Sequence, residues 1–267
     1  MASYLTRYLN GDCESVWREL IDFEASAIEP PLLNESMAVA EEIVRRIIHN
    51  ANIVGRYLQG AGYEFATPGP FVVPANQATA ECVRLIEEEF GNLPLILKVW
   101  WSHVDRLNHL PTEQLLDSGI GCPTEGISPT GAILINSPAE CLEASRQRAI
   151  AIAEHVRQAA EAGISGEEEY DVAAPTFILG PITTANDPVG YRLPLSGVDG
   201  VCHQLADDEA SESLIDWLRF YYLQRGGFGW QFFGFVPRPD GGREFRSFIR
   251  PQNEVDSIVD QMELIAF

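Results

Sequence analysis

The chain has 267 residues, 46% of them hydrophobic and 21% charged, with a formal net charge of −21 from 18 Lys+Arg against 39 Asp+Glu. That apolar fraction excludes a disordered chain, and the length suits one large domain or a domain with an extension. A field of that sign repels phosphate backbones and anionic membrane surfaces, so neither nucleic acid nor membrane is expected as a partner; a basic protein would be attracted.

In chain order, residues 13 to 28 repeat apolar side chains at helical spacing (Trp17, Leu20, Ile21, Ile28), with Asp12 placed to cap. "EPP" at 29 to 31 interrupts the pattern. Asn34 can cap a longer helix whose stripe runs through Met37, Ala40, Ile43, Val44, Ile47, Ile48, Ala51, Val54 and Leu58, ending near Gly60 and Gly62. The two are expected to form an N-terminal helical hairpin, residues 1–67. "YEFATPGPFVVPAN" carries three prolines and a glycine and reads as a connector, with room for a short edge strand near "YEF".

Asn76 caps the next predicted helix, with Ala80, Val83, Ile86 and Phe90 inward and a turn at Gly91. Pro94 suits the first turn of a further helix, expected over Pro94 to Leu107, in which Leu97, Trp100 and Val104 form an apolar face. Residues 108 to 131 are rich in Gly, Pro, Thr and Ser and read as a long loop. "AILI" at 132 to 135 reads as a buried strand. Ser137, Pro138 and Glu140 then form the sequence signature of a capped helix start, Glu140 closing a capping box. "PTFILG", "GYRLPL" and "VCHQL" read as strands, and Ser211 as the cap of a helix through Leu214, Trp217, Leu218 and Tyr221. "WQFFGFVP" and "REFRSFIR" flank a turn at "RPDGG" as a hairpin, and a last helix follows Pro251. The order predicts an α+β fold with a mixed, mostly antiparallel sheet flanked by helices.

Motifs that would fix a reaction are missing. His49, His103 and His109 lack metal-ligand spacing, so no metal or other cofactor is expected. Cys202 and His203 are neighbours on a predicted strand and point to opposite faces. No GxSxG elbow or phosphate loop is present, and Glu87, Glu88 and Glu89 occupy three sides of a helix, as a solvated face does. No catalytic residue is assigned. Five scattered cysteines without a CxxC pair read as reduced thiols, and the absence of a signal-type run or a long apolar segment points to the cytoplasm. One polar group stands out. His103 and Asp105 lie near a predicted helix end beside the long loop, and Trp101, 100° round the helix from Trp100, is placed to reach the flank as an anchor. Trp101, His103 and Asp105 are the candidate binding residues.

"CVRLIEEEFGNLPLILKVWWSHVDRLN" resembles the opening of the SUKH superfamily: a Glu-rich helix, a G-x-LP turn and a helix with aromatic residues. "AILINSPAECLEAS" is similar to that family's next element, and "SLIDWLRFYYLQRGGF" to the helix near its C-terminus. The resemblance implies a SUKH-like α+β domain over 74–267 with residues 1–67 as an extension, and a non-enzymatic protein-binding role. Many bacterial relatives act as immunity proteins that neutralise toxins. Two other readings stand beside it. One is a small-molecule hydrolase or transferase with His103, Asp105 and Cys122 under the 108–131 loop. The other is an oligomeric scaffold, a homodimer through the N-terminal hairpin.

Overall fold

A computed structural model describes residues 2–60, 65, 69–109, 127–129, 134–161, 176–180, 189–192, 197–199, 201–204, 210–219, 231–237, 243–249 and 252–263. The chain opens with a short helix, α1 (Tyr4–Leu9), capped by Ser3, whose hydroxyl accepts from the Thr6 N–H. Helix α2 (Cys13–Asp22) follows, then a 3-10 turn over Glu24–Ile28 and the long α3 (Leu33–Gly60). Asp12 does not cap α2 with its side chain. Its carboxylate instead accepts from Arg7 at 2.9 and 2.6 Å, a charged donor outcompeting the helix N–H groups. Asn34 lies inside α3, because the turn after Glu29 is already helical: Leu33 N–H donates to the Glu29 carbonyl.

Of the predicted α3 stripe, Ala40, Ile43, Val44, Ile47, Ala51, Val54 and Leu58 lie in the core, while Met37 and Ile48 are partly buried at its edge; Val39, outside the predicted stripe, is buried too. The packing partners of α3 include α1, the 3-10 turn and a helix from beyond the Pro-rich connector, α5 (Leu95–His103). Between them lie strand β1 (Val72–Pro74) and helix α4 (Gln77–Phe90). Asn76 caps α4 in a capping box. Its Oδ1 accepts from Ala78 and Thr79 N–H, and the Thr79 hydroxyl accepts from the Asn76 N–H. Thr79, not Ala80, faces inward. Gly91 ends the helix at φ +96°, a value that favours glycine.

Helix α5 departs from the one-sided reading. Leu95, Ile96, Leu97, Val99, Trp100 and Trp101 are all buried, so the helix is enclosed nearly all round. Pro94 stands one position before the first helical residue, in extended conformation. The free N–H groups of Leu95 and Ile96 donate to the carbonyls of Gly197 and Val198 at 3.0 and 2.9 Å.

The helix expected to run to Leu107 ends at His103, and Val104–Asn108 is strand β2. β2 pairs antiparallel with β1 on one side and with β4 (Leu134–Ile135) on the other, β3 being Ile127–Pro129. Val104 and Leu107 are three apart, which fits the helical period and not a strand's period of two; both are buried on a strand whose register with β1 shifts between Val73 and Pro74. Only the two neighbouring strands settle the segment as a strand. β3 also interrupts the predicted long loop, pairing with β9 (Gln231–Pro237); residues 110–126 and 130–133 lie outside the described residues.

Helix α6 (Pro138–Glu161) starts where predicted. Ser137 N–H donates to Glu140 Oε2 at 2.8 Å, and Glu140 N–H donates back to Ser137 Oγ at 3.3 Å. Strands β5 (Thr176–Gly180), β6 (Val189–Arg192), β7 (Val201–Gln204) and β8 (Ala210–Ser213) form an antiparallel sheet in sequence order. Helix α7 (Leu214–Arg219) is capped by Ser213, not Ser211: Asp216 N–H donates to Ser213 Oγ. β9 and β10 (Arg243–Ile249) pair antiparallel, as the predicted hairpin requires, with Arg243 opposite Pro237, and α8 (Gln252–Val259) closes the described chain. The molecule is thus a mixed α+β fold in which every described strand pair is antiparallel. Its buried core joins residues of α1, α2 and α3 to those of α5, β2, α6, α7 and α8.

Candidate functional site

Two polar regions are ordered around α3 and the end of α5. The first is the corner read from the sequence. His103, the last residue of α5, is exposed, and its carbonyl accepts from Ala75 N–H at 3.0 Å. Asp105 is half-buried on β2, and Thr79 Oγ donates to its Oδ1 at 2.7 Å. That bond extends the α4 capping box onto the sheet, so Asp105 joins two elements. Arg106 reaches Glu140 at 3.0 Å. Burial pushes the Glu140 carboxyl up, but Ser137's N–H and hydroxyl and the Arg106 guanidinium outweigh it and hold it below the usual carboxylate range.

Trp101 is not at this surface. It is 1% exposed, and its indole N–H donates to the Asn136 carbonyl at 3.4 Å. The flank expected to expose it is covered by the strand-to-helix connection before α6. The corner therefore presents His103 and the edges of Asp105 and Arg106, without the aromatic anchor. Cys122 lies outside the described residues.

In the glutamate run in front of α5, Glu88 and Glu89 are exposed, as on a solvated face, and Glu87 is half-buried. Glu87 pairs with Lys98 of α5, Glu88 with Arg84 of its own helix, and Glu89 with Arg146 of α6. Three adjacent carboxylates point to three sides, and each finds a cation there.

The second region was not legible as a site. At the α1–α2–α3 junction the Cys13 thiol donates to the Tyr8 carbonyl at 3.3 Å, and Arg46 lies 4.7 Å above the Tyr8 ring with an Nη1–Sγ distance of 3.6 Å. Burial pushes both the Cys13 thiol and the Tyr8 phenol up, so both stay neutral and unreactive near neutral pH. Arg46 Nε also donates to Glu42 at 2.7 Å, and Glu42 in turn holds Arg45.

One turn further along α3, Asn50 is fully buried and makes two reciprocal bonds to one residue of the C-terminal segment. Glu263 N–H donates to Asn50 Oδ1, and Asn50 Nδ2 donates to the Glu263 carbonyl, both at 2.9 Å. Arg45 grips the Glu263 carboxylate through both Nη atoms; Arg46 Nε and His49 Nε2 lie 3.8 and 4.0 Å from it. The Arg45 hydrogen bonds hold the Glu263 carboxyl below its usual range against the opposing effect of burial. The only sequence signal was an asparagine inside the α3 apolar stripe behind two arginines. Nothing pointed to its partner 213 residues away.

Among the described residues no group of three or more His, Cys, Asp and Glu side chains is arranged to hold a metal ion, and no helix is long and apolar enough to cross a membrane. Comparison of the chain with protein-family models, with characterised proteins and with solved structures finds no match.

Proposed function

We propose that this chain is a non-enzymatic, cytoplasmic protein-binding domain that captures a basic partner, in the manner of a SUKH-like bacterial immunity protein engaging a toxin domain. The net charge of −21 carries the reading. Among the described residues, ten basic side chains already pair with carboxylates of the same chain. The field left for a partner is therefore that of the excess carboxylates, which steers a cationic surface and repels an anionic one. The resemblance of residues 76 onward to the SUKH superfamily supports the same reading. The contact face we assign to it is the corner formed by His103, Asp105 and Arg106. Trp101 beneath them acts as support for the corner and not as an anchor.

The test is capture of the partner from the native host with the full chain, followed by association rates at salt from about 50 to about 500 mM. The expected partner is basic, with an association rate that falls about ten-fold or more over that range. His103→Ala should weaken binding without altering thermal stability. An acidic partner, or a rate indifferent to salt, overturns the proposal.

A further inference from the structure

The bonds between α3 and Glu263 have the chemistry of peptide recognition. Asn50 reads a main-chain N–H and C=O at once, which identifies a backbone and not a side chain. Arg45, with Arg46 and His49 behind it, reads a carboxylate. Together they select an acidic residue at one position and little else. Among the described residues, the segment around Glu263 also sets Ile258, buried on α8, and Met262, half-buried, against the core. The carboxylate end stays within reach of solvent, with Arg45 53% and Glu263 35% exposed. A competitor can therefore engage the arginine before the buried asparagine is vacated.

We propose that the turn of α3 carrying Arg45, Arg46, His49 and Asn50 is a binding site for an acidic peptide segment of a partner protein. The chain's own segment around Glu263 is its resident occupant, and the partner enters by displacing it. The site is on a different element from the His103 corner and takes a ligand of the opposite charge, so it stands whether or not the basic-partner reading does.

The probe is a fluorescent synthetic peptide with the sequence of residues 256–267, DSIVDQMELIAF, titrated against the full chain. Glu263→Ala in the protein weakens the resident occupant, so the peptide should bind that variant about ten-fold more tightly than it binds the wild type. A peptide with glutamine in place of the glutamate should lose that affinity, as should the protein variant carrying Glu263→Ala together with Arg45→Ala. Absence of binding to a Glu263→Ala protein with unchanged circular dichroism overturns the proposal, as does binding that ignores the glutamine replacement. Hydrogen exchange of the unmodified chain keeps the test valid if the variant misfolds. The amides of 256–263 should exchange through a local opening, faster than those of α3 and α5. Exchange of that segment only with global unfolding would show that it does not detach.

Discussion

Gly55 sits mid-helix in α3, where glycine ordinarily costs about 1 kcal/mol relative to alanine. Here the sign should reverse. A Cβ at Gly55 would stand 2.1 Å from the Phe71 ring, so Gly55→Ala must displace an aromatic packed against Phe65 and His109. Overpacking of this kind should destabilise by about 1–3 kcal/mol in urea denaturation. His109 belongs to the same pocket and is fully buried. Burial draws its imidazole down to about 4, against a raising contribution from a hydrogen bond with the Ala51 backbone. Because the folded value lies below the ordinary 6.5, the unfolded chain takes up the proton first as pH falls. The stability linked to His109 is therefore complete above about pH 6.5 and is lost as pH falls toward 4, by about 3 kcal/mol in all. Urea titrations at several pH values should show this slope, and His109→Leu should flatten it between pH 6.5 and 4.5. Trp100, 2% exposed in the centre of α5, should cost about 3–5 kcal/mol when replaced by alanine. An unchanged midpoint would contradict its burial.

Helix starts show which local signals survive folding. The Asn76 cap and the Ser137 box were readable because a cap and its partners lie within three residues and meet in any helix that begins there, whereas the Thr79 half of the Asn76 box was seen only in the structure. Ser137→Ala should cost about 1 kcal/mol in a denaturation curve, since it leaves the Glu140 N–H without its acceptor. Asp12 failed as a side-chain cap because Arg7 offered a stronger donor. The α5–β2 junction failed for another reason. In "VWWSHVDRLN" the three-residue spacing of Val104 and Leu107 continues the helical period, and the strand is imposed by β1 and β4, which bracket β2. The same pairing commits Asp105 to Thr79, so Asp105→Ala should loosen the contact between α4 and the sheet as well as alter the corner.

At the scale of the whole molecule, 39 acidic side chains repel one another more than 18 basic ones can offset. The folded state concentrates that charge, and raising salt from about 10 mM to about 150 mM shortens the screening length from about 30 Å to about 8 Å. The melting temperature should therefore rise over that range, by differential scanning fluorimetry. A fall would mean that the ion pairs linking Glu87, Glu89 and Glu263 to neighbouring elements outweigh the self-repulsion.

By itself the sequence determined what depends on neighbours along the chain: the α3 stripe, the Asn76 cap, the Ser137 capping box, the β9–β10 hairpin and the sign of the long-range field. Period, cap spacing and turn chemistry are local, and charge is additive, so none of these needs a fold to be read. The tertiary structure decided what depends on partners far away. It enclosed Trp101, which helical spacing had placed on a flank, because the Asn136 connection covers that side. It split α5 from β2, because two strands claim the second half. It set Glu263 against Asn50 across 213 residues, a pairing for which no spacing rule exists, since only the folded backbone brings the two together.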